Sequence, residues 1–294
     1  MTTIGFIGLG NMGGPMAANL VKAGFDVSAF DFSKEAMLAA KDAGCSIATS
    51  GVDAASGKDV VITMLPAGKH VVGVYEDIKG TLKSGCLMID CSTVDIASAK
   101  QAHEIAQSAG AMSVDAPVSG GIMGAINGTL TFMAGGSDAA LDAAAPILEP
   151  MAGRVVRCGG DTAGQAAKVC NNMILAITMI GTGEAFEMGR RLGLSDQALF
   201  DVVSTASGQS WSTTTYCPVP GPVPTSPANN DYKPGFAAQL MLKDLGLSQE
   251  AAAQTEAYTP LGTQAFELYQ QFCDDGNADL DFSGIIKMMQ TAKK

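Results

Sequence analysis

Short apolar runs alternate with longer helical patterns along the first 160 residues of the chain. The runs have the length of buried strands, and the alanine-rich stretches between them have the length of helices. Strands that alternate with helices form βαβ units, which predicts a mostly parallel sheet covered by helices. The predicted strands are residues 4–7, 26–31, 60–64, 86–89, 112–115, 130–134 and 155–158, and the predicted helices include 34–43, 96–109 and 138–150.

The pattern changes near residue 160, after which every periodic stretch is helical. Residues 163–192 form one long helical pattern without a proline. The chain is therefore predicted to contain an α/β domain at 1–162 and an all-α domain at 163–294, with 163–192 as the connecting helix. The further helices of the second domain are predicted at 195–206, 236–254, 260–273 and 282–292.

One segment of the second domain, residues 207–235, has no periodic pattern. It contains six of the twelve prolines and the only tryptophan of the chain. A loop of this length inside a compact domain is usually functional or disordered, and its aromatic residues Trp211, Tyr216 and Tyr232 argue against disorder. Because prolines favour polyproline II backbone, we expect a stiff, extended loop.

Composition and charge exclude several classes of function. The chain has 294 residues, 47% of them hydrophobic and 16% charged, which is enough to bury a large core and excludes a disordered chain. Its 18 basic and 29 acidic side chains give a formal net charge of −11, which disfavours nucleic acid as a partner. The sequence contains no basic cluster and no apolar stretch near the ~20 residues of a membrane span, so no membrane partner is expected. Seven scattered cysteines without a Cys-x-x-Cys pair predict free thiols and a reducing, cytoplasmic location.

A glycine-rich motif follows the first predicted strand and opens a helix. Gly8, Gly10 and Gly13 form a G-x-G-x-x-G sequence, and Asp31 lies 18 residues after Gly13, at the end of the second predicted strand. In this context the first glycine permits a tight turn, the second lets the backbone approach a pyrophosphate, and the third lets helix and strand pack closely. The carboxylate of Asp31 suits ribose hydroxyls and would repel a 2′-phosphate, which favours NAD over NADP. The first domain is therefore predicted to be a Rossmann-type dinucleotide-binding domain.

Two further turns follow strands at the edge of the sheet where ligands bind in parallel α/β folds. Leu65-Pro66 follows the strand at 60–64, and Ser92-Thr93 follows the next strand. On their own these are ordinary turns. Together with the glycine motif, they are expected to contact the nicotinamide side of NAD.

A run of small residues, Ser119-Gly120-Gly121, follows the strand at 112–115. Consecutive backbone N–H groups in such a run can bind a carboxylate, and a plain turn is the alternative. No lysine or arginine lies between residues 101 and 153, so the run offers little to a phosphorylated substrate.

Lys168 lies early in the long helix, among small, apolar and amide residues. Asn172 follows one turn later on the same face. A lysine in apolar surroundings tends to have a lowered pKa, which suits it to take the proton of an alcohol while NAD accepts hydride. A snorkelling side chain without a catalytic role is the alternative, and the local sequence does not decide between the two.

The other titratable residues are weaker candidates. His103 lies among polar residues that predict a solvated helix face, and His70 follows a strand end near the expected cofactor. Neither is expected to be the catalytic base. The aspartates between residues 274 and 281 lack the spacing of a calcium loop and are expected to form a solvated turn. No cluster of metal ligands is recognisable, so no metal is expected.

Four segments, in order along nearly the whole chain, resemble the β-hydroxyacid dehydrogenase family. They are residues 4–19 (IGFIGLGNMGGPMAAN), 115–121 (DAPVSGG), 164–172 (GQAAKVCNN) and 236–248 (FAAQLMLKDLGLS). The resemblance implies that Lys168 is the catalytic residue with Asn172 beside it. It implies that a substrate carboxylate binds at Ser119, Gly120 and Gly121. It also implies NAD contacts from the glycine motif with Asn11 and Met12, and from Leu65, Pro66, Thr93, Phe236 and Lys243.

Within the family, residues 211–221 (WSTTTYCPVPG) are most similar to the 3-hydroxyisobutyrate dehydrogenases. This similarity implies that Trp211 and Tyr216 line the substrate pocket with support from Asp244. It implies NAD-dependent oxidation of 3-hydroxyisobutyrate to methylmalonate semialdehyde, in valine degradation. An L-serine or other 3-hydroxy-acid dehydrogenase, a tartronate semialdehyde reductase and a non-catalytic NAD-binding sensor stay open. Apolar helical stretches such as 173–180 further predict a homodimer or homotetramer.

Overall fold

The structure, a computed structural model, describes residues 2–291, which divide into two compact units on either side of the peptide bond between Lys168 and Val169. One sheet runs through the first unit, and helices make up most of the second. The predicted fold class, a Rossmann-type α/β domain followed by a helical domain, is confirmed. The predicted domain boundary between residues 162 and 163 stays a prediction.

Nine strands within residues 2–291 form a single sheet. They are β1 (Thr3–Ile7), β2 (Asp26–Phe30), β3 (Ser46–Ile47), β4 (Val60–Thr63), β5 (Leu87–Asp90), β6 (Met112–Asp115), β7 (Val118–Ser119), β8 (Leu130–Gly136) and β9 (Ala152–Gly159). The strands follow one another in the order β3-β2-β1-β4-β5-β6 with parallel pairing throughout. Both β6 and β7 pair antiparallel with β8, and β9 pairs parallel with it. The seven predicted strands all form, whereas β3 and β7 are too short to leave a periodic pattern.

Helices connect the strands and continue through the second unit. In the first unit they are α1 (Gly13–Lys22), α2 (Lys34–Asp42), α3 (Gly51–Ala55), α4 (Gly68–Ile78), α5 (Ile96–Ser108), α6 (Gly121–Asn127) and α7 (Asp138–Leu148). The 29-residue helix α8 (Ala163–Arg191) begins in the first unit and ends in the second. The helices after it are α9 (Asp196–Val203), α10 (Trp211–Thr214), α11 (Ala238–Thr255), α12 (Pro260–Phe272) and α13 (Ile286–Thr291). Ser33, Asp95 and Ser137 begin α2, α5 and α7 by accepting a hydrogen bond from a backbone N–H of the first turn.

The central strands are buried on both faces, as a parallel sheet between two helical layers requires. Because successive side chains of a strand point to opposite faces, β1 and β4 each contribute to two apolar clusters. One cluster contains Ile4, Phe6 and Ile62 together with Met16 and Leu20 of α1. The other contains Ile7 and Val61 together with Val71 and Tyr75 of α4. Several predicted site residues follow the carboxyl ends of the buried strands, among them Gly8, Asp31, Leu65 and Thr93.

Residues 207–235 form a packed segment, not the extended loop that their prolines predict. The Cys217 side chain is fully buried, and its carbonyl accepts a hydrogen bond from the Ser226 hydroxyl at 2.6 Å. The hydroxyl of Tyr232 donates to the carbonyl of Pro218 at 2.8 Å. The prediction of an extended loop is wrong because these internal hydrogen bonds and buried side chains fold the segment on itself. Among the described residues, no helix combines the length and apolar character that crossing a membrane requires.

Candidate active site

The three glycines of the motif have different surroundings at the start of α1. Gly8 has a φ of 98°, and a Cβ there would lie 2.3 Å from the carbonyl oxygen of Met64. A Cβ on Gly13 would lie 1.9 Å from the carbonyl oxygen of Gly8. Around Gly10, by contrast, no atom lies within 4 Å of the position of a Cβ. Two glycines therefore permit close packing, and the third leaves open the space in front of the helix N-terminus, where a pyrophosphate binds in this type of motif. The residues present fit a dinucleotide, with Asn11 and Met12 in the same turn.

Asp31 lies beside the same turn at the end of β2. Its carboxylate accepts hydrogen bonds from the backbone N–H of Leu9 at 2.6 Å and from that of Ser33 at 2.8 Å. The side chain is therefore held against the glycine motif by backbone groups. This is the position that ribose recognition requires.

The turns after β4 and β5 are joined by a buried network. The Ser92 hydroxyl accepts a hydrogen bond from the backbone N–H of Leu65 at 2.8 Å and donates to Asp90 at 2.6 Å. Thr63 donates to the same carboxylate oxygen of Asp90 at 2.7 Å. Burial raises the pKa of Asp90, and within residues 2–291 its other carboxylate oxygen has no hydrogen-bond partner. The network brings together the two turns that contain Leu65-Pro66 and Ser92-Thr93.

The run of small residues lies where β7 meets α6. Ser119 ends β7, and Gly121 begins α6. Gly120 and Gly121 have φ values of 132° and 62°, which side chains disfavour. Two consecutive residues in this region turn the backbone sharply where Gly120 is exposed and Gly121 is half-buried, and binding of a carboxylate there stays a prediction.

A carboxylate from the sheet caps the start of α8. Asp115, the last residue of β6, accepts hydrogen bonds from the backbone N–H groups of Thr162 at 2.9 Å and Gln165 at 2.7 Å. A negative group at a helix N-terminus is favourable because the first N–H groups have no partner within the helix. His103 lies 3.0 Å from the same carboxylate and is 3% exposed. The prediction that His103 faces solvent is therefore wrong, since its partner comes from a strand and not from its own helix.

The same turn of α8 is tied to the loop after β5. The carboxamide of Gln165 donates to the carbonyl of Ser92 at 2.7 Å and accepts from the backbone N–H of Val94 at 3.2 Å. These bonds flank Thr93. Lys168 follows Gln165 by three residues and is only 7% exposed. The first turns of α8, which contain Lys168, are thus fixed to the ends of β5 and β6.

Asn172 belongs to a second hydrogen-bonded group, in the second unit. Its amide donates to the Asp244 carboxylate at 2.5 Å and accepts from the amide of Asn171 at 2.9 Å. Lys243 lies 3.6 Å from the other carboxylate oxygen of Asp244. Both Asn172 and Asp244 are buried. This group therefore joins three predicted site residues: Asn172 with a predicted role in catalysis, Asp244 in substrate binding and Lys243 in cofactor binding.

The aromatic candidates of the second unit form a continuous stack. Trp211 and Tyr216 lie with ring centroids 4.8 Å apart, and Tyr216 stacks on Phe282 at 5.4 Å. Phe236 meets the edge of Phe282 at 5.7 Å. The Tyr216 hydroxyl donates to Asp281, which is fully buried. The prediction that the acidic stretch up to residue 281 is only a solvated turn is therefore wrong for Asp281.

In the first unit, hydrogen bonds thus join the turns after β4 and β5 to the first turns of α8, and in the second unit the predicted residues form two groups, one around Asp244 and one around Tyr216. Sequence reasoning missed Asp115, Gln165 and Asp281 as parts of these groups. The position of Asp115 at a strand end could have indicated it, because ligand and helix contacts concentrate there. Gln165 and Asp281 have no such local signal. The described residues contain no group of three or more histidine, cysteine or acidic side chains that could bind a metal ion.

Comparison with known families covers almost the whole chain in two parts. Residues 3–160 match the family described as the NAD binding domain of 6-phosphogluconate dehydrogenase. Residues 162–289 match the family described as NAD-binding of NADP-dependent 3-hydroxyisobutyrate dehydrogenase. A probable 3-hydroxyisobutyrate dehydrogenase of Mycobacterium tuberculosis is 51% identical over 290 residues, with 99% of this chain and 98% of the relative covered. The chain belongs to the 3-hydroxyisobutyrate dehydrogenase family.

Other members of the family differ in their named substrates. The NAD-dependent L-serine dehydrogenase of Pseudomonas aeruginosa is 47% identical, with 98% of each chain covered. The human mitochondrial 3-hydroxyisobutyrate dehydrogenase is 44% identical, with 98% of this chain and 87% of the human protein covered. The solved structure of the Mycobacterium tuberculosis 3-hydroxyisobutyrate dehydrogenase with L-serine has a TM-score of 0.96 at 51% identity and covers 99% of this chain and 100% of its own.

Membership in the family establishes the general activity. The chain is a hydroxyacid dehydrogenase with NAD as its cofactor, and the names of its relatives refer to small hydroxy acids as substrates. The alternative of a non-catalytic NAD-binding sensor is not supported. The family does not decide which hydroxy acid is the substrate, because relatives of similar identity have different names.

Proposed function

We propose that this dehydrogenase oxidises 3-hydroxyisobutyrate to methylmalonate semialdehyde with NAD, as a step of valine degradation. The observation that carries the proposal is the buried Lys168, one helical turn before the buried Asn172 on α8. A buried amine beside an amide can exchange a proton with an alcohol without competition from bulk water. The names of relatives at 44–51% identity support the substrate.

In the proposed reaction the alcohol carbon loses hydrogen with its electron pair, and the hydroxyl group loses a proton. Bound NAD supplies the hydride acceptor at its nicotinamide ring. Lys168, as the neutral amine, takes the hydroxyl proton, so that a C=O bond forms as the C–H and O–H bonds break. Asn172 orients the reacting hydroxyl, and its own amide is oriented by Asp244.

The remaining predicted residues bind the two ligands in this proposal. The substrate carboxylate binds to backbone N–H groups at Ser119, Gly120 and Gly121, and the substrate's methyl group packs against Trp211 and Tyr216. The NAD contacts come from Gly8, Gly10, Asn11, Met12, Gly13, Asp31, Leu65, Pro66, Thr93, Phe236 and Lys243. The open space at Gly10 supports this assignment.

L-serine is the second candidate substrate. It is named for a relative at 47% identity and for the solved structure at 51% identity. L-serine and 3-hydroxyisobutyrate both carry a carboxylate and a primary hydroxyl, and differ in an ammonium against a methyl group. A pocket that packs the methyl group against apolar side chains would leave a buried ammonium group without partners, so one pocket is expected to favour one of the two substrates.

Initial rates of NADH formation at 340 nm test the proposal. The substrates would be 3-hydroxyisobutyrate, 3-hydroxypropionate, L-serine and D-glycerate, each with NAD and with NADP. We expect kcat/KM for 3-hydroxyisobutyrate with NAD to exceed the others by about 100-fold, which corresponds to roughly 2.7 kcal/mol. A preference for L-serine or D-glycerate would overturn the substrate and the pathway. A preference for NADP would contradict the role given to Asp31.

We further infer a homodimer or homotetramer in the cytoplasm. Large apolar side chains of the second unit are exposed, among them Met188 at 60%, Leu192 at 74% and Val202 at 59%, and such surfaces are often covered by a second copy. The cysteines are free thiols, as in a reducing compartment. Light scattering during size exclusion checks the oligomer, and a monomer at all concentrations would contradict it.

A further inference from the structure

A single buried carboxylate connects the aromatic stack of the second unit to the chain around it. Asp281 has no exposed surface. Its Oδ2 accepts hydrogen bonds from the Tyr216 hydroxyl at 2.9 Å and from the backbone N–H groups of Gly235 at 3.0 Å and Phe236 at 3.1 Å. Its Oδ1 accepts from the backbone N–H of Ser283 at 3.0 Å and from the Ser283 hydroxyl at 2.7 Å. The side chain accepts five hydrogen bonds, shared between its two oxygens.

The two oxygens of Asp281 have different kinds of partner. Oδ1 binds only Ser283, two residues further along the chain, and so closes a local turn. Oδ2 binds groups that lie 45 to 65 residues away in sequence. The first oxygen therefore stabilises its own turn, whereas the second joins Tyr216 to the segment that precedes α11.

The contacts of Oδ2 fix the orientation of Tyr216. The tyrosine ring lies between Trp211 and Phe282, with interplanar angles of 20° and 23°. Its hydroxyl is held by Asp281, and a Cβ on Gly235 would lie 2.7 Å from the hydroxyl oxygen. Burial and the charge of Asp281 raise the pKa of Tyr216 well above its usual range, so the hydroxyl stays protonated and able to donate. Ring and hydroxyl are thus both held in place.

We propose that Asp281 is a positioning residue for the oxidation of the hydroxy acid. Through Oδ2 it orients Tyr216 toward the substrate and holds the backbone at Phe236 for the cofactor, and it contacts neither ligand itself. The inference rests on the proposed function, in which Tyr216 and Trp211 contact the hydroxy acid and Phe236 contacts NAD. In this proposal the hydrogen bonds of Oδ1 do not position Tyr216 or Phe236.

Three variants separate the two sides of the carboxylate. Asp281→Ala removes all five hydrogen bonds, Tyr216→Phe removes one partner of Oδ2, and Ser283→Ala removes one partner of Oδ1. Ser283→Ala is the matched control, because it weakens the same carboxylate's hold on its own turn and leaves the Oδ2 contacts in place. Tyr216→Phe keeps the proposal testable if Asp281→Ala does not fold.

The first measurement is independent of catalysis. Trp211 is the only tryptophan of the chain and is 49% exposed, so its fluorescence reports on its contact with Tyr216. We expect a higher acrylamide quenching constant in Asp281→Ala and in Tyr216→Phe, and the wild-type constant in Ser283→Ala. Equal quenching in all four proteins would overturn the proposal.

The second measurement is steady-state kinetics on the hydroxy acid. Asp281→Ala should raise KM for the hydroxy acid about tenfold, the loss expected for one hydrogen bond to a charged group, and should change kcat less. Most of that rise should disappear when Asp281→Ala is measured in the Tyr216→Phe background, because the shared contact is already absent. An equal rise in Ser283→Ala would show that Asp281 only stabilises the fold and would overturn the proposal. If wild-type protein oxidises no 3-hydroxy acid, the proposed function fails, and the quenching comparison still decides whether Asp281 holds Tyr216.

Discussion

Carboxylates organise the predicted site residues in both units, but they bind different kinds of group. In the first unit Asp31 and Asp115 accept hydrogen bonds mainly from backbone N–H groups of the glycine turn and of the start of α8. In the second unit Asp244 and Asp281 each bind a side chain that has a predicted role, Asn172 or Tyr216. The carboxylates Asp31 and Asp115 of the first unit therefore hold turns of backbone, whereas Asp244 and Asp281 of the second unit also hold side chains that have predicted roles.

This difference predicts which substitutions matter in each unit. A turn held by backbone groups tolerates changes of neighbouring side chains but not of the glycines that shape it. A buried side-chain pair loses its geometry when either partner is removed, and the remaining partner is left without a hydrogen bond. Variants of the two units should therefore fail in different assays.

The largest effect is expected for Lys168→Ala, at the point where α8 leaves the first unit. If Lys168 transfers the hydroxyl proton, kcat should fall by about 10²- to 10⁴-fold, the usual contribution of a general acid or base. NADH affinity, measured by fluorescence titration, should stay within about twofold of wild type, since the proposed role is proton transfer and not cofactor binding. Lys100→Ala is the matched control, because the Lys100 side chain is 72% exposed on α5. Near wild-type turnover in Lys168→Ala would show that another group moves the proton.

The next largest effect is expected for Gly10→Ala, which tests the backbone-built cofactor site of the first unit. The added methyl group meets no protein atom within 4 Å, so stability should not fall. It should weaken NADH binding about tenfold or more, because it separates the pyrophosphate from the backbone N–H groups of the turn.

Gly73→Ala adds the same methyl group in open space on α4 and provides the control for Gly10→Ala. It should leave NADH affinity unchanged and raise stability slightly, by roughly 0.5–1 kcal/mol, as alanine does in a helix interior. Fluorescence titration with NADH and urea unfolding give the two quantities. Unchanged NADH binding in Gly10→Ala would place the cofactor elsewhere.

The sequence was sufficient to predict the fold because the information for it is local. Strands such as β1 and β4 are apolar runs, and helices such as α2 begin at a capping serine and follow their own periodicity. The glycine motif was also recognisable, because its function depends on a few neighbouring backbone positions. The two-residue strands β3 and β7 lack enough residues to show a pattern.

The partners of buried polar side chains could not be predicted, because they come from distant parts of the chain. His103 has polar neighbours in sequence, yet it is buried against Asp115 of a strand. Asp281 ends a run of acidic residues and binds Tyr216, 65 residues away. In residues 207–235 the prolines suggested extended backbone, but buried side chains and internal hydrogen bonds decide the conformation.

A smaller effect is expected for Asp244→Ala, which tests the side-chain group of the second unit. Removing the carboxylate leaves the buried amide of Asn172 without its acceptor, so the free energy of unfolding should fall by about 1–3 kcal/mol. The amide should also lose its orientation, which should lower kcat about fivefold. Asp244→Asn retains an oxygen acceptor and should lose less in both urea unfolding and turnover. Equal stability of Asp244→Ala and wild type would show that the contact does not hold Asn172.

The smallest effects are expected from pH. They distinguish a carboxyl group at the start of a strand in the first unit from one at the end of the neighbouring strand. Asp59 precedes β4, and hydrogen bonds from Lys83 and Thr3 lower the pKa of its carboxyl below the usual 3.8. Asp90 ends the neighbouring β5, where burial raises the pKa above 3.8. A lowered pKa contributes stability that is present above the usual pKa and is lost as pH falls through the lowered value. A raised pKa has the opposite sign, since stability is lost as pH rises from the usual value through the raised one.

Asparagine cannot ionise, so replacing Asp59 or Asp90 by asparagine removes the contribution of that carboxyl group to the pH dependence of stability. The difference between variant and wild type then gives the sign of that contribution. Asp59→Asn should be less stable than wild type at neutral pH, and this deficit should shrink toward the lowest pH at which the fold persists. Asp90→Asn should gain stability relative to wild type as pH rises over the same range, because wild type must ionise a buried carboxyl and the variant does not. Urea unfolding of the three proteins across that range gives both differences. If the two stability differences changed in the same direction with pH, the opposite pKa shifts of Asp59 and Asp90 would be contradicted. The carboxylate of Asp59 would then be no better solvated and paired than the buried carboxylate of Asp90.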